Sequence, residues 1–198
     1  MPRLFAALRF SETINDALEE IAHGVPGAAW APAEQFHLTL RFIGDPSPLS
    51  LDDVERALRE VRAESFRIDL KGSGHFPLRG DPDTLWIGAG PASGFESDSR
   101  AGDDPLSRLK RRVDAALSRA GLAPEGRKFH PHVSLARVRH ADQRDVAGFE
   151  ILNALFALRD IPVQEFVLCS SVLGPAGAVH RVEAVYPLEG MLEGDEEN

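Results

Sequence analysis

The sequence predicts an α+β fold with two lobes, in which two pseudo-symmetric antiparallel sheets carry helices on their outer faces and enclose a central cleft. Strand-like segments of alternating polarity are interleaved with amphipathic helical segments. Neighbouring strand segments such as 66–70 and 85–89 are too close in the chain for a crossover helix, which favours antiparallel pairing. The pattern His-x-(Thr/Ser)-Leu occurs twice, 95 residues apart, so each half of the chain carries one copy. This repeat predicts two similar lobes that face each other.

Alternating apolar and polar residues predict seven strands. They span residues 4–10, 36–43, 66–70, 85–89, 132–138, 163–173 and 179–186. The glycine-containing segment 72–76 follows the third strand. It is predicted to be a turn, because neither a helix start nor a phosphate-loop lysine follows it.

Apolar residues at helical spacing, combined with capping residues, predict four helices. They begin at Ser11, Ser50, Asp104 and Asp142. Asp53, three residues after Ser50, completes a capping box, and Gly24 and Gly121 end the first and third helices. The fourth helix, over residues 142–155, has the weakest pattern because Gly148 lies inside it.

The composition predicts one bilobal domain over residues 1–188 and a flexible acidic tail over residues 189–198. A chain of 198 residues can bury a sizeable core without disulfides or metals. Cys169 is the one cysteine, so no internal disulfide can form and a reducing cytoplasm is the expected location. The N-terminus is too short and too charged for a signal peptide, and no apolar run approaches a membrane span. The segment 91–104 is predicted to be an exposed loop.

The net charge of −9 argues against a long electrostatic footprint on duplex nucleic acid, because such footprints need clustered cations. This charge is compatible with a small cleft that binds one terminal phosphate through a few donors. Since the surface is negative and partner-binding features are few, we expect a monomer that does not bind membranes.

The first copy of the repeat, residues 37–40, combines a group that exchanges protons with one that binds anions. Alternate side chains of a strand share a face. The core-facing set is Phe36, Leu38, Leu40 and Phe42, and the opposite set is His37, Thr39 and Arg41. Residues two apart on a strand lie roughly 6.5–7 Å apart, so His37 and Thr39 can contact the same small anion.

The second copy repeats this arrangement, with His132 and Ser134 on the face opposite the core. Imidazoles exchange protons near neutral pH, and hydroxyls donate to phosphate oxygens. A single His-x-Thr is usually only a polar outer face of a strand. Two copies in a chain with seven histidines favour a histidine pair for in-line displacement at phosphorus. One histidine would deprotonate the attacking group and the other would protonate the leaving oxygen.

A metal site that includes His130 and His132 is the alternative interpretation. Sites of this kind usually recruit carboxylates and a further histidine. No acidic residue lies within this stretch, the nearest downstream is Asp142, and a hydroxyl such as that of Thr39 is a weak zinc ligand. The residues therefore favour catalysis without a metal or another cofactor.

The paired motifs resemble those of the two-histidine (2H) phosphoesterases and, within them, the RNA 2′,3′-cyclic phosphodiesterases, historically called 2′-5′ RNA ligases. The resemblance covers nearly the whole chain. Matching segments are 3–7, 36–44, 72–77, 85–88, 129–137 and 171–173, together with Trp30. It implies the bilobal fold with one motif per lobe. It also implies metal-independent hydrolysis of a 2′,3′-cyclic phosphate at an RNA 3′ end to a 2′-phosphomonoester.

The resemblance further implies roles for individual residues. His37 would be the proton donor to the departing 3′ oxygen, and His132 the proton acceptor that activates water. Thr39 and Ser134 would hold phosphate oxygens. The motifs are near-symmetric, so the acid and base roles could be exchanged without a visible change in the sequence.

Two further residues are candidates for substrate binding. Arg127 matches a position that is often basic in the family and would neutralise phosphate charge. His130, next to the second motif, is the other candidate. His180 falls where the family often has an aromatic residue, which is a departure from the pattern.

Alternatives stay open on the substrate and on activity itself. The substrate could be a small cyclic nucleotide or a 2′-5′ oligonucleotide, and ligation could be the weak reverse of hydrolysis. A non-catalytic module that binds RNA ends or nucleotides is the alternative from a different class.

Overall fold

The computed structural model describes residues 3–45, 50–76, 83–93, 104–139, 141–174 and 177–190. The elements follow one another in the order β1 (Arg3–Arg9), α1 (Glu12–Glu19), β2 (Ala28–Trp30), a 3₁₀ helix (Ala33–Gln35), β3 (His37–Gly44), α2 (Leu51–Arg59), β4 (Phe66–Phe76), β5 (Asp83–Pro91), α3 (Pro105–Arg119), β6 (His132–Val138), α4 (Gln143–Leu152), β7 (Ala157–Val163), β8 (Glu165–Gly174) and β9 (Gly177–Pro187). The predicted strands and helices are all present, so the α+β class is confirmed.

The strands pair antiparallel in the order β7-β4-β5-β6-β3-β1-β8-β9. All nine described strands belong to one continuous sheet, in which β2 lies beside β6. The first four strands of this order form one half of the sheet and the last four form the other half. The two halves meet at β3 and β6, where Leu38 and Val133 are the one paired position among the described residues. Farther along, β6 pairs with β2 instead of β3. The predicted lobes are therefore the two halves of one sheet, which are joined through β3 and β6.

The helices pack against one face of the sheet, over both of its halves. Leu8, Leu38, Ile87 and Val133 from the strands are fully buried with helix residues such as Leu109 in one continuous apolar core. A smaller apolar cluster lies on the opposite face of the half that contains β3. Its members are Phe5, Ala7, Val167 and Cys169. Because strand side chains alternate between faces, this second face is available to the polar motif residues.

Capping bonds agree with the sequence at three helices. Ser50 and Asp53 form the reciprocal capping box at the start of α2. The carboxylates of Asp104 and Asp142 accept backbone N–H hydrogen bonds at the starts of α3 and α4. Ser11 has the extended backbone of an N-cap residue, but its side chain makes no capping hydrogen bond.

The predicted turn over residues 72–76 is wrong, because β4 continues through it to Phe76. A bulge between Leu70 and Ser73 absorbs the irregularity, and Gly72 there has φ +71°, a conformation that glycine adopts without strain. The glycine-containing segment that suggested a turn therefore forms a bulge within a strand.

The predicted strand over residues 163–173 does not begin where expected, because β7 ends at Val163 and β8 begins at Glu165. β7, β2 and the 3₁₀ helix were not predicted. Asp160, with φ 60°, and Pro162 give β7 the composition of a loop. An edge strand tolerates both, since one side of its backbone has no partner strand.

Most of the predicted loop 91–104 and of the acidic tail 189–198 lies outside the described residues, as does His140. The first tail residue, Glu189, exchanges backbone hydrogen bonds with Ala63 and Ser65. No helix in the described part of the chain has the length and apolar character needed to cross a membrane.

Candidate active site

The junction of the two halves of the sheet, between β3 and β6, brings the two motifs together. Leu38 and Val133 are fully buried on the core side, so the residues that flank each of them face the cleft. These are the four motif side chains His37, Thr39, His132 and Ser134. In the antiparallel register each histidine lies opposite the hydroxyl residue of the other motif. The histidines are then diagonal neighbours, a relation that spans roughly 7–8 Å on paired strands. A group of the size of phosphate can contact both.

Both motif strands contain a β-bulge at the same place, directly after the hydroxyl residue. In β3 the register with β1 passes from Thr39 to Arg41 and leaves Leu40 as the extra residue. In β6 the register with β5 passes from Ser134 to Ala136 and leaves residue 135 as the extra one. A bulge changes the direction in which the side chains around it point. The two halves therefore repeat the local backbone geometry as well as the motif.

The bulge in β3 overturns part of the prediction for the first motif. Arg41, expected on the face of His37, is buried on the core side, with 4% of its side chain exposed. Phe42, expected to face the core, is 55% exposed, and its ring lies 6.3 Å from that of Phe5 on the cleft side. One inserted residue shifts a pattern of period two by one position, so the alternation is inverted beyond Leu40.

Arg41 instead anchors the loop that leads to the second motif. Its guanidinium donates to the carbonyl oxygen of Ala123. The same group lies 3.5 Å from a carboxylate oxygen of Asp114 and 4.0 Å from one of Glu125. Glu125 in turn accepts a 3.2 Å hydrogen bond from Nε of Arg127. Arg41 therefore ties β3 to α3 and to the loop that carries the candidate phosphate-binding arginine.

Arg41→Ala is expected to lower the free energy of unfolding by about 2–3 kcal/mol, because two acidic groups lose a buried partner. The loss stays below that of a fully buried pair, since Asp114 and Glu125 keep some solvent contact. Arg59→Ala is the matched control. Arg59 forms an exposed ion pair with Glu55 in α2, and its loss is expected to cost about 0.5 kcal/mol or less. Urea unfolding compares the variants, and equal stabilities would contradict the anchoring role.

Each motif histidine is oriented by the backbone two residues before it. Nδ1 of His37 lies 2.7 Å from the carbonyl oxygen of Gln35, and Nδ1 of His132 lies 2.6 Å from that of His130. A carbonyl oxygen only accepts, so Nδ1 carries the proton and donates in both rings. Nε2 is then the nitrogen that exchanges a proton in each histidine.

Burial favours the neutral form of both imidazoles. It lowers the pKa of His37 from its ordinary value of 6.5 to about 4, while the hydrogen bond to Gln35 opposes this shift. Repulsion from Arg9, and from His180 and His132 when these are protonated, lowers the pKa of His37 further. Burial also lowers the pKa of His132. At neutral pH the free site therefore holds two neutral imidazoles whose Nε2 atoms can accept protons.

His180 is a third histidine at the site, which the sequence analysis noted only as a departure from the family pattern and not as a site residue. Its ring lies 4.9 Å from that of His37 and 5.0 Å from that of Phe5, edge-on in both cases. Arg9 and Cys169 join these residues around a recess beside His37. His180 reaches the site through the pairing of β9 with β8 and of β8 with β1, so no local pattern marks it.

His132 lies against a cluster of aromatic rings, formed by Phe76, Trp86 and His130. The ring of Phe76 is 4.8 Å from that of His132, and the rings of Trp86 and His130 lie 5.2 and 5.3 Å from that of Phe76. The indole of Trp86 lies over Gly74, where an added Cβ would come within 2.4 Å of the ring. A glycine in β4 is therefore required for this aromatic cluster to form.

Arg127 lies at the edge of the site, next to Phe42. Its guanidinium carbon is 5.9 Å from the centre of the Phe42 ring, and 75% of its side chain is exposed. An arginine has five N–H donors, so the hydrogen bond to Glu125 does not exhaust its capacity to bind an anion. The placement is compatible with the predicted phosphate contact.

Cys169 contributes apolar contacts to the floor of the site. Burial raises the pKa of its thiol to about 11, so the thiol stays protonated at neutral pH and is a poor nucleophile. Among the residues that the structure describes, no three His, Cys, Asp or Glu side chains are grouped so as to hold a metal ion.

Comparisons with known proteins identify relatives along most of the chain. A protein named RNA 2′,3′-cyclic phosphodiesterase from Aeropyrum pernix is 39% identical over 124 residues, which cover 62% of this chain and 64% of that protein. A protein of the same name from Thermus thermophilus is 32% identical over 195 residues, which cover 95% and 91% of the two chains.

Solved structures share the fold. The crystal structure of TT0787 from Thermus thermophilus matches with a TM-score of 0.72 and 27% identity, and covers 95% of this chain and 98% of that one. The structure of Escherichia coli LigT complexed with 3′-AMP matches with a TM-score of 0.66 and 22% identity, over 96% and 100% of the two chains. The family model of the 2′-5′ RNA ligase superfamily matches residues 10–172. The chain therefore belongs to the 2′-5′ RNA ligase superfamily, a branch of the 2H phosphoesterases.

Proposed function

We propose that the protein hydrolyses 2′,3′-cyclic phosphates at RNA 3′ ends to 2′-phosphomonoesters, with His37 and His132 as an acid–base pair and without a metal. The observation that carries the proposal is the symmetric placement of the two imidazoles at the sheet junction. Each is held by its Nδ1, has Nε2 as the proton-exchanging atom, and lies opposite a hydroxyl residue. The names of the relatives support the substrate class.

In the proposed reaction, Nε2 of His132 removes a proton from water as the water oxygen bonds to phosphorus. The bond from phosphorus to the 3′ oxygen breaks on the opposite side, and Nε2–H of His37 gives its proton to that oxygen. The products are a 2′-phosphomonoester and a 3′ hydroxyl. Proton exchange with solvent then restores both rings. Each proton transfer contributes about 10²–10⁴-fold to the rate.

The other candidate residues would bind the substrate. The hydroxyls of Thr39 and Ser134 would donate to the non-bridging phosphate oxygens, each from the strand position opposite the histidine of the other motif. Arg127 would add positive charge from the edge of the cleft. His130 would contact the nucleoside rather than the phosphorus, because its ring lies in the aromatic cluster.

His37 must be protonated to act as the donor, although burial holds its pKa near 4 in the free site. A bound phosphodiester brings a negative charge, which raises the pKa of a neighbouring imidazole. The hydrogen bond from Nδ1 to the Gln35 carbonyl also stabilises the protonated ring. Substrate binding is therefore expected to raise the pKa of His37 and so to protonate its ring.

A module that binds RNA ends without hydrolysing them is the second candidate function. The observation that favours it is the lowered pKa of both histidines, which leaves the free site without a protonated donor at neutral pH. The two candidates make opposite predictions for turnover.

The test uses the purified protein in EDTA with an oligoribonucleotide that ends in a 2′,3′-cyclic phosphate. Phosphorus NMR follows the signal of the cyclic phosphate and identifies the product. We expect complete conversion to the 2′-phosphate, and a matched oligonucleotide that ends in a 3′-phosphate stays unchanged. Binding without conversion would favour the non-catalytic module. Conversion that needs added zinc would contradict the metal-independent mechanism.

The same assay with adenosine 2′,3′-cyclic monophosphate compares the RNA end with a small cyclic nucleotide. We expect kcat/KM to be higher for the oligonucleotide. If kcat/KM for the mononucleotide equals or exceeds it, small cyclic nucleotides rather than RNA ends are the substrate.

We further propose that residues 1–188 form one domain, because one apolar core runs along both halves of the sheet. The acidic segment 189–198 would follow this domain as a tail. A monomeric state and a reducing cytoplasmic location complete the proposal, and both rest on the composition, with one cysteine and a net charge of −9.

A further inference from the structure

Arg9 is a cation beside the candidate active site that takes no part in the proposed proton transfers. It is the last residue of β1 and is paired with His37 in the register of β1 with β3. Side chains at paired positions of antiparallel strands share a face, and their Cβ atoms lie about 4.5–5.5 Å apart. Arg9 is therefore on the cleft face, where it lines the recess beside His37 together with His180 and Cys169.

The charge of Arg9 is not neutralised by the part of the protein that the structure describes. The residue is exposed, and one guanidinium nitrogen donates a 3.0 Å hydrogen bond to the backbone carbonyl of Glu34. Among the described residues no carboxylate forms an ion pair with Arg9, whereas the exposed Arg56 and Arg59 on α2 each pair with one. An arginine has five N–H donors, so most of those of Arg9 remain available to an anion.

This positive charge acts on the His37 side of the cleft. Burial lowers the pKa of His37, and the charge of Arg9 lowers it further. Burial raises the pKa of the Cys169 thiol, and the charge of Arg9 opposes that rise. Because the whole chain carries a net charge of −9, a cation at this position offsets locally the repulsion that an RNA chain meets.

The direction of the proposed reaction places the preceding nucleotide on the same side. His37 gives its proton to the 3′ oxygen, and the C3′ atom that carries this oxygen is bonded to C4′. From C4′ the chain continues through C5′ to the phosphodiester of the preceding nucleotide, whereas the base is attached at C1′, next to C2′. The RNA chain therefore leaves the cyclic phosphate on the side of His37, where Arg9 is the paired residue of the neighbouring strand.

We propose that Arg9 binds the phosphodiester that joins the terminal nucleotide to the rest of the RNA. The inference rests on the proposed function, because the position of the 3′ oxygen defines the side on which the chain leaves. A cyclic mononucleotide with a 5′ hydroxyl has no anion to offer to Arg9. The arginine thus favours an RNA end over a small cyclic nucleotide, and it does so for every sequence, since phosphate contacts carry no sequence information.

Two dinucleotide substrates that differ in one charge test this contact. Adenylyl-adenosine 2′,3′-cyclic phosphate is compared with the same molecule in which the internal linkage is a methylphosphonate, which is neutral. The wild type is expected to have a KM about 3- to 20-fold higher for the neutral linkage, because a charge-assisted hydrogen bond to an exposed arginine is lost. We expect equal kcat values, since both substrates present the same cyclic phosphate.

Variants of Arg9 assign the difference to this side chain. Arg9→Gln is expected to have the same KM for both substrates, and Arg9→Lys to keep part of the difference, because the charge remains. An effect of Arg9 on the pKa of His37 is common to both substrates and cancels in the ratio of KM values. Arg3→Gln is the matched control, since Arg3 lies on the same strand roughly 20 Å away and should keep the wild-type ratio. A wild-type ratio in Arg9→Gln would overturn the contact.

The same substrates separate this inference from the proposed function. Equal KM values of the wild type for the two linkages would overturn the Arg9 contact and leave the hydrolase intact. If neither substrate is hydrolysed, the proposed function fails, and calorimetric titration with the two uncleaved dinucleotides tests the contact by itself. A difference in Kd that disappears in Arg9→Gln would support it, and equal Kd values in the wild type would overturn it.

Discussion

Alanine in place of His132 is expected to lower kcat for the cyclic phosphate by about 10²–10⁴-fold, and alanine in place of His37 by a similar factor. Each change removes one of the two proposed proton transfers. KM is expected to change little, because in the proposed complex the hydroxyls of Thr39 and Ser134 would still contact the phosphate. Initial rates in EDTA measure both constants. His75→Ala is the control, since this histidine pairs with Glu150 on the helix side of β4 and should keep full activity.

A sulfur-bridged substrate distinguishes the donor from the acceptor. If sulfur replaces the 3′ oxygen of the cyclic phosphate, the leaving group is a thiolate, whose conjugate acid has a pKa of about 8.5 in the case of cysteine. Such a group departs without a proton, so His37→Ala is expected to recover a rate close to that of the wild type. His132→Ala should stay slow, because water still has to be deprotonated. The reverse pattern would exchange the two roles, and full activity of both variants would contradict the pair.

The shared face of the two polar residues in each motif was predictable, because it depends only on residue type and local spacing. Alternation along a strand places His37 and Thr39 on one face, whatever the strand pairs with. The fold class was also predictable, since short separations between strands exclude crossover helices. That the motifs meet at one junction depends on the pairing of Leu38 with Val133, and the internal repeat was the one sequence signal for it.

Register and long-range pairing account for what the sequence analysis missed. Nothing in residues 36–43 marks Leu40 as the extra residue of a bulge, so Arg41 and Phe42 were placed on the wrong faces. His180 enters the site through two successive strand pairings. The glycine at position 74 resembles a turn residue until the indole of Trp86 is seen to lie over it. Each of these features is a property of neighbouring strands, not of a local segment.

The burial that lowers the pKa of His37 is expected to make the fold sensitive to acid. The pKa of His37 is about 4 in the folded chain and 6.5 in an unfolded one, so the unfolded state binds more protons between these values. Stability is therefore fully present above pH 6.5 and is lost as the pH falls toward 4. A shift of this size corresponds to about 3 kcal/mol in total, of which about 2 kcal/mol falls between pH 7 and pH 5.

The window from pH 7 to pH 5 isolates the histidine from the carboxylates, because the pKa values of Asp53, Asp69 and Glu125 are lowered and these groups titrate at more acidic pH. Urea unfolding across this window compares the wild type with His37→Asn, whose amide can still donate to the Gln35 carbonyl but does not titrate. The variant is expected to lose about 2 kcal/mol less than the wild type between pH 7 and pH 5. Parallel stability curves would show that the imidazole is not held neutral by burial. In that case part of the free enzyme would already hold a protonated His37 near neutral pH. Substrate binding would then not be needed to protonate this histidine.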